Sequence, residues 1–481
     1  MTIQINITNT SSRIISPISE YVNSALEKEM SYEVKGKFFT DAYQQGWWDG
    51  RVKLYSMKTK IFPTGLLYLV RKVLEQNTLE YEYIDNRITC EFGKELPLQL
   101  EEGMELYDYQ RTAIDEAIKK TRGIIKIGTG GGKSLVISGI LAKGNLPSII
   151  LIHRKDIAQQ LKNNLEEHLK VPIGLIGAGG KQLENITVMM AQTASKTKDK
   201  EVKKFIDSAS CLIIDECHIT AAKGVYNVAK QCKSAFLRYG TSATPYRYDD
   251  SSLFINAATG DRIIDVGASE LIEKGYLVPP HIYMIEVPKI PELQNFNYQE
   301  AYQTGIVENK VRNGLITDLC NFLVNKKKTI LIAVTRIEHG NTLIDILHNK
   351  YPKMKSIFVH GSDEDFLRKE VLEDLRNKRL GVVIATNIFN EGVDIPALDT
   401  LINCTAQDSD VAAYQLIGRV LRKFEGKKNA IVIDFHDKSK YLHKHSIHRE
   451  KIYIKEPQFL LYKCKTKEEA QNIITAQERF G

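Results

Sequence analysis

This chain of 481 residues is short of several things, and each shortage removes a class of protein. No apolar run approaches the roughly 18 residues that a membrane-spanning helix needs, so no membrane partner is expected. The cysteines Cys90, Cys211, Cys217, Cys232, Cys320, Cys404 and Cys464 are odd in number and scattered, with no C-x-x-C pair. They read as reduced, mostly buried thiols, not as disulfides or metal ligands. The opening MTIQINITNT lacks the basic and apolar stretches of a secretory signal, and the expectation is a cytoplasmic protein. No short-period repeat or low-complexity segment is visible. What remains is an ordinary globular composition, 43% hydrophobic and 26% charged. At this length it needs about three folded units.

Tryptophan is the scarcest residue: the chain has two, side by side in QQGWWDGRVKLY, residues 44–55. They sit in a basic region. Between Lys35 and Lys72 eight basic residues face only Asp41 and Asp49, and Phe38, Phe39, Tyr43, Tyr55, Phe62 and Tyr68 are interleaved with them. Such a mixture suits phosphates and bases; it equally suits a small α+β domain with a solvated basic face. Asp49-Gly50 signals a two-residue hairpin turn. In that register Trp47, Val52 and Leu54 share one face and point to a core. Trp48, Arg51, Lys53 and Tyr55 share the other, where Trp48 braces Arg51 or meets nucleic acid. The alternative is that both indoles pack in a core.

From Tyr107 onward short apolar runs alternate with helical patterns. GIIKI (123–127), SIILI (148–152), ITVMM (186–190) and CLIID (211–215) read as buried parallel strands. TILIAV (329–334), SIFV (356–359), LGVVIAT (380–386), LDTLINC (398–404) and NAIVID (429–434) form a second series. Two parallel-sheet α/β domains follow. The prolines of VPP, VPKI and IPEL mark a connection between them.

GTGGGKS (128–134) follows a strand and precedes a helical run. There Thr129, Gly130, Gly131 and Gly132 let the backbone curl its N–H groups around a phosphate chain. Lys133 would reach the β- and γ-phosphates, and Ser134 would ligate Mg²⁺. Ile127 stands where the strict motif has its first glycine. CLIIDECH ends a buried strand in Asp215 and Glu216, which suit a Mg²⁺ contact and the positioning of an attacking water. Two carboxylates buried there without a partner would cost several kcal/mol. In QLIGRVLR (415–422), Arg419 and Arg422 are three apart and would share a helix face. In isolation they fit a surface helix; beside the other two motifs they fit cations supplied to a γ-phosphate.

With these blocks in this order the chain resembles helicase superfamily 2 over residues 104 to about 436. YDYQ with Gln110 resembles the adenine-reading motif, HRKDIAQQ with Arg154 a DNA-contacting block without its usual Pro-Thr, and AQTAS with Gln192 and Thr193 the next such block. SAT (242–244), TRIEHGNTL, His360-Gly361, ATNIFNEGVDIP and QLIGRVLR resemble the remaining motifs. The resemblance implies two RecA-like domains in tandem that use ATP and Mg²⁺. It implies nucleic-acid contacts at Gly361, Thr386 and Asn387, close approach at Gly392 and a ribose contact at Asp394. GWWDGRVKLY and FPTGLLYLVRKVL are further similar to the phage branch-migration helicases of the UvsW type. That implies a DNA helicase or translocase for forks and Holliday junctions in recombination, repair and replication, working in a host cytoplasm. Its partners would be duplex, branched and single-stranded DNA.

The expected organisation is a small α+β DNA-binding domain (1–100), a motor domain (104–278), a linker (279–310), a second motor domain (311–455) and a C-terminal helix or tail (456–481). HKHSIHR (443–449) reads as a basic helix contacting DNA or the motor more readily than as a metal site. The rival functions are an RNA helicase, the motor of a restriction-type complex and an ATP-gated clamp that does not turn over.

Overall fold

The computed structural model describes residues 2–100, 105–221, 223–244, 252–361, 363, 365–386, 395 and 397–480. The chain forms two compact units: residues 1–127 with 132–266, and residues 267–481 with the turn 128–131.

The first unit begins with six short strands: β1 (Ile3–Ile7), β2 (Ser11–Ile14), β3 (Ser31–Glu33), β4 (Arg51–Lys53), β5 (Ile61–Pro63) and β6 (Tyr81–Asp85). They make a four-stranded sheet of order β5-β2-β1-β6 and a separate β3-β4 ribbon. Alternation in IQINI turns Ile3, Ile5 and Ile7 inward. They meet Val22 and Leu26 of the helix Glu20–Glu29 and Val70, Val73 and Leu74 of the helix Leu67–Gln76.

The second part of this unit is an eight-stranded sheet: β7 (Arg122–Ile127), β8 (Ser148–Ile152), β9 (Ile173–Gly177), β10 (Gly180–Gln182), β11 (Ile186–Met190), β12 (Cys211–Asp215), β13 (Leu237–Ser242) and β14 (Arg262–Val266). Its order is β10-β9-β11-β8-β12-β13-β7-β14, parallel except for β10 against β9. The apolar runs foresaw four of these strands. They did not foresee β13, because LRYGTS is polar although every residue is buried. Arg238 is accommodated there by donating to the carbonyl oxygens of Ala258 at 3.0 Å and Cys232 at 2.9 Å.

The two sheets of the first unit are packed together. Ala257 of the motor part belongs to the N-terminal core, and Tyr32 meets Phe254 edge-on. Gly65 lies so close to that part that a Cβ would stand 2.0 Å from the Asn256 carbonyl oxygen. Arg87 lies over the Phe236 ring, and Gly93 N–H donates to Gly144 O.

The second unit is one seven-stranded parallel sheet: β15 (Pro280–Val287), β16 (Ile330–Ala333), β17 (Ser356–Val359), β18 (Val382–Ala385), β19 (Thr400–Asn403), β20 (Ala430–Asp437) and β21 (Leu460–Cys464). The order is β17-β18-β16-β19-β20-β15-β21. This bears on two expectations. The segment 279–310 is not a linker: β15 lies between β20 and β21 and its Tyr283 and Ile285 are core residues. Pro280 is tolerated because it opens the strand. Of the expected helix or tail at 456–481 the helix is present, Lys467–Phe480, and it is no loose tail, since Cys464, Ala470 and Ile474 enter the same core. HKHSIHR lies on the helix Leu442–Ile454, held to β20 by Arg449, whose guanidinium forks onto the Asp434 carboxylate at 2.9 and 3.0 Å. Among the described residues no group of three or more His, Cys, Asp or Glu could hold a metal ion, and no helix is long and apolar enough to cross a membrane.

Gly65→Ala places its methyl against backbone, which cannot give way as a side chain would. It should destabilise the first unit by about 1–3 kcal/mol and speed proteolysis within residues 86–100. Unfolding curves and digestion rates equal to the wild type would show that the close approach carries no load.

Candidate functional site

The C-terminal edge of the first unit's large sheet gathers most of the sequence-predicted residues. Gly132 caps the helix Lys133–Gly144 with a φ of 74°. The first N–H groups of a helix have no intrahelical acceptor, so this turn offers a ready anion cradle. Gly132 is required by Gln110, whose Nε2 would be 2.4 Å from any Cβ there. Gln110 is itself buried, and its Oε1 accepts from Tyr107 N–H at 3.0 Å. Thr129 Oγ1 in the turn is buried without a hydrogen-bond partner, as a hydroxyl awaiting a ligand would be.

Strand order brings the remaining groups to this turn. β13 lies between β7 and β12, and Asp215 is in register with Thr241. Thr241 Oγ1 donates to Asp215 Oδ1 at 2.7 Å, and Glu216 N–H donates to the same oxygen at 3.0 Å. Glu216 follows the strand end with a φ of 48°, a left-handed conformation that a non-glycine residue rarely adopts outside functional sites. Its Oε1 pairs with Lys133 Nζ. Its Oε2 accepts from Ser242 Oγ at 3.1 Å, with His218 Nδ1 3.3 Å away. The Lys133 and Glu216 side chains are only 17% and 14% exposed.

These surroundings split the two adjacent carboxyls. Burial raises the Asp215 pKa above the ordinary carboxylate value, against the pull of Lys133. Burial pushes Glu216 the same way, but Lys133 and His218 outweigh it and hold Glu216 ionised. Burial likewise opposes the Lys133 charge, and Glu216 with Asp215 restores it and raises the pKa. The arrangement is an anion cradle, a cation and two carboxylates of different basicity. These residues suit a Mg²⁺-bound nucleoside triphosphate: an orphaned hydroxyl and the start of a helix for phosphates, and hard oxygen donors for the metal. Thr241 and His218 were not singled out from sequence. The hydroxyl preceding SAT and the histidine of DECH were the available signals.

The other predicted residues fall in three places. Arg154 caps the helix Lys155–Leu169 after β8, and exposed Gln192 and Thr193 follow β11, the neighbouring strand. In the second unit Gly361 is exposed after β17, and Thr386 follows the adjacent β18. Asn387, Gly392 and Asp394 lie outside the described residues. Arg419 and Arg422 do not share a helix face. The helix Asp410–Val420 ends between them, and Arg422 enters a bridge with Leu277, where burial lowers its pKa to about 10.

The tryptophan hairpin is also corrected. The partner of β4 is β3, not the segment before Asp49-Gly50. That segment is curled: Asp41–Gln44 is a helical turn, and Trp47 and Trp48 N–H both donate to Ala42 O. Trp47 is 80% exposed instead of core, while Tyr55 is buried. Trp48 is half-buried and its Nε1 donates to Arg51 O at 2.7 Å. Arg51 is hydrogen-bonded to Ser31, and Lys53 pairs with Glu27 and Asp49.

Tandem parallel sheets, with a phosphate-type turn and an acidic strand end on the first, define a nucleotide-driven motor. A family model described as "Type III restriction enzyme, res subunit" matches residues 103–247, and one described as "Helicase conserved C-terminal domain" matches 314–424. These matches make the chain an ATP-dependent helicase, and it resembles helicase superfamily 2. It is 26% identical over 436 residues to the DNA 3'-5' translocase XPB2 of Sulfurisphaera tokodaii, covering 83% of this chain and 94% of that protein. It is 23% identical over 471 residues to the ATP-dependent DNA helicase uvsW of Enterobacteria phage T4, covering 89% and 92%. The fold is shared with S. cerevisiae Dbp5 bound to RNA and ADP BeF3 (TM-score 0.56, 16% identity, 78% of this chain and 94% of that one).

Breaking a buried ion pair from one side leaves the other charge stranded. Lys133→Ala and Glu216→Ala should each lower the nucleotide-free stability of the first unit by about 3 kcal/mol. The double variant should lose at least about 1 kcal/mol less than the sum. Strict additivity in denaturant unfolding would show the two side chains to be uncoupled.

Proposed function

We propose that the protein is a DNA translocase that remodels branched DNA, moving forks and Holliday junctions in recombination, repair and replication. The observation that supports its motor most directly is the Lys133–Glu216 pair, set among Ser242, Thr241 and Asp215 at one sheet edge. Lys133 exchanges Glu216 for the β- and γ-phosphate oxygens of ATP, and Glu216 is thereby released to orient the attacking water. Ser134 and Asp215 hold Mg²⁺, which supplies charge neutralisation on the phosphates. Ser242 keeps one Glu216 oxygen fixed through this exchange, which gives the SAT block a physical link to hydrolysis. Gln110 reads the base, Thr129, Gly130, Gly131 and Gly132 line the phosphates, and Gly392 with Asp394 takes the ribose. Arg419 and Arg422 act on the γ-phosphate; the resemblance alone supports that role.

DNA is favoured as the track because relatives aligned over most of this chain are named as a DNA translocase and a DNA helicase. Arg154, Gln192, Thr193, Gly361, Thr386 and Asn387 are its proposed contacts, with Trp48, Arg51 and Lys53 on the N-terminal domain. The likeness to a phage protein makes a host cytoplasm the place of action.

Steady-state ATP hydrolysis should rise most with a Holliday junction, less with linear duplex and single strands, and least with RNA. Lys133→Ala should lower every rate by at least roughly 100-fold. Stimulation by RNA alone would replace the substrate, and equal stimulation by every DNA would remove the junction.

A further inference from the structure

The β3-β4 ribbon carries an excursion of residues 34–50 that no core cluster includes. The excursion is nevertheless built. A 3₁₀ turn at Lys37–Phe39 and the helical turn Asp41–Gln44 form its two limbs, and Gln44 Nε2 donates to Phe38 O at 2.8 Å. Phe38 meets Tyr43 edge-on at 5.2 Å, and the Lys37 ammonium lies 4.8 Å from the Tyr43 ring centre. Trp48 closes the base through its bond to the Arg51 carbonyl.

All this order presents rings to solvent. Phe39 is 89% exposed, Trp47 80% and Phe38 62%. Isolated exposed leucines are ordinary on protein surfaces, but a braced arm that exposes three large aromatics is not. The segment from Lys35 to Lys72 holds eight basic residues against two acidic ones, with Lys37, Lys53 and Lys72 paired to Glu33, Glu27 and Glu29 on the flanking residues. Flat rings on a cationic support match unpaired bases on a phosphate chain. An intact duplex hides its base faces, whereas a branch point or strand end leaves them open.

We infer that Phe39 and Trp47 stack on bases exposed where strands part, making the arm the element that tells branched DNA from linear duplex. This rests on the DNA reading above and moves the recognition from Trp48, which is occupied as a brace, to its neighbour. The arm belongs to the same compact unit as Lys133 and Glu216, joined through the N-terminal core.

The test uses the full chain with a three-way fork bearing unpaired bases and a blunt linear duplex. Phe39→Ala/Trp47→Ala removes no core contact, so thermal unfolding should stay unchanged. Fork affinity should fall roughly ten-fold per ring, in line with base–aromatic stacking, with linear duplex affinity unchanged. The fork should quench the wild-type emission more than that of a Trp47→Phe chain, which keeps the Trp48 brace, and the duplex should quench neither. Equal fork affinity for variant and wild type, or emission indifferent to the fork, would overturn the arm while leaving the DNA reading intact. Equal loss on fork and duplex would make the contact one with the backbone and overturn stacking. If the wild type bound neither DNA, the substrate reading would fail and the arm with it.

Discussion

One ion pair organises the first unit: the Lys133 ammonium held against the Glu216 carboxylate. Burying both charges is costly, and each is tolerable only because the other is present. The pair forces several features at once. A glycine turn must set Lys133 on the first turn of its helix, β12 must end where Glu216 can fold back at positive φ, and β13 must lie beside β12 with its hydroxyls bonded to Asp215 and Glu216. In the proposed mechanism the carboxylate that orients water stays paired with the phosphate-binding cation until ATP arrives. Binding and activation then become one exchange of partners. In this account Ser242 and His218 stop Glu216 from swinging away once Lys133 leaves.

A second constraint is the packing of the N-terminal domain on this sheet. Gly65 against the Asn256 carbonyl, Ala257 in the N-terminal core and the Tyr32–Phe254 contact leave no room for an independent swing. The proposed DNA-sensing arm on that domain is therefore carried by the same packed unit as Lys133 and Glu216. The second unit is braced by a different device, the Arg449–Asp434 fork, which ties a helix to β20.

Much of this was legible in the chain before folding. Strands β8, β11 and β12 fall where the apolar runs stand, because a buried parallel strand must be apolar on both faces, and the half-buried edge strand β17 falls on its run as well. The proposed hydrolytic residues stood out as candidates because that chemistry needs those types at strand ends, and the fold brings Lys133 and Glu216 together. What escaped detection had competing physics. β13 is buried yet polar, with Arg238 satisfied by carbonyls far along the chain. β15 was hidden by prolines that bracket a strand as readily as a linker. Around the tryptophans, Asp49-Gly50 gives β4 a local brace, the Asp49 carboxylate accepting from Arg51 N–H, and not the expected hairpin turn. The partner strand of β4 comes from residues 31–33, and alternation applied to the curled segment put Trp47 on the wrong side. Arg419 and Arg422 were paired on a helix that stops between them.

The most direct measurement follows the branch point itself. A labelled three-way junction with homologous arms reports strand exchange in real time, with ATP, with a non-hydrolysable analogue, and with Glu216→Gln. The account predicts movement by the wild type with ATP only, and a Glu216→Gln protein that holds the junction without moving it. Equal movement under the analogue, or ATP consumed on the junction with the branch point stationary, would contradict it.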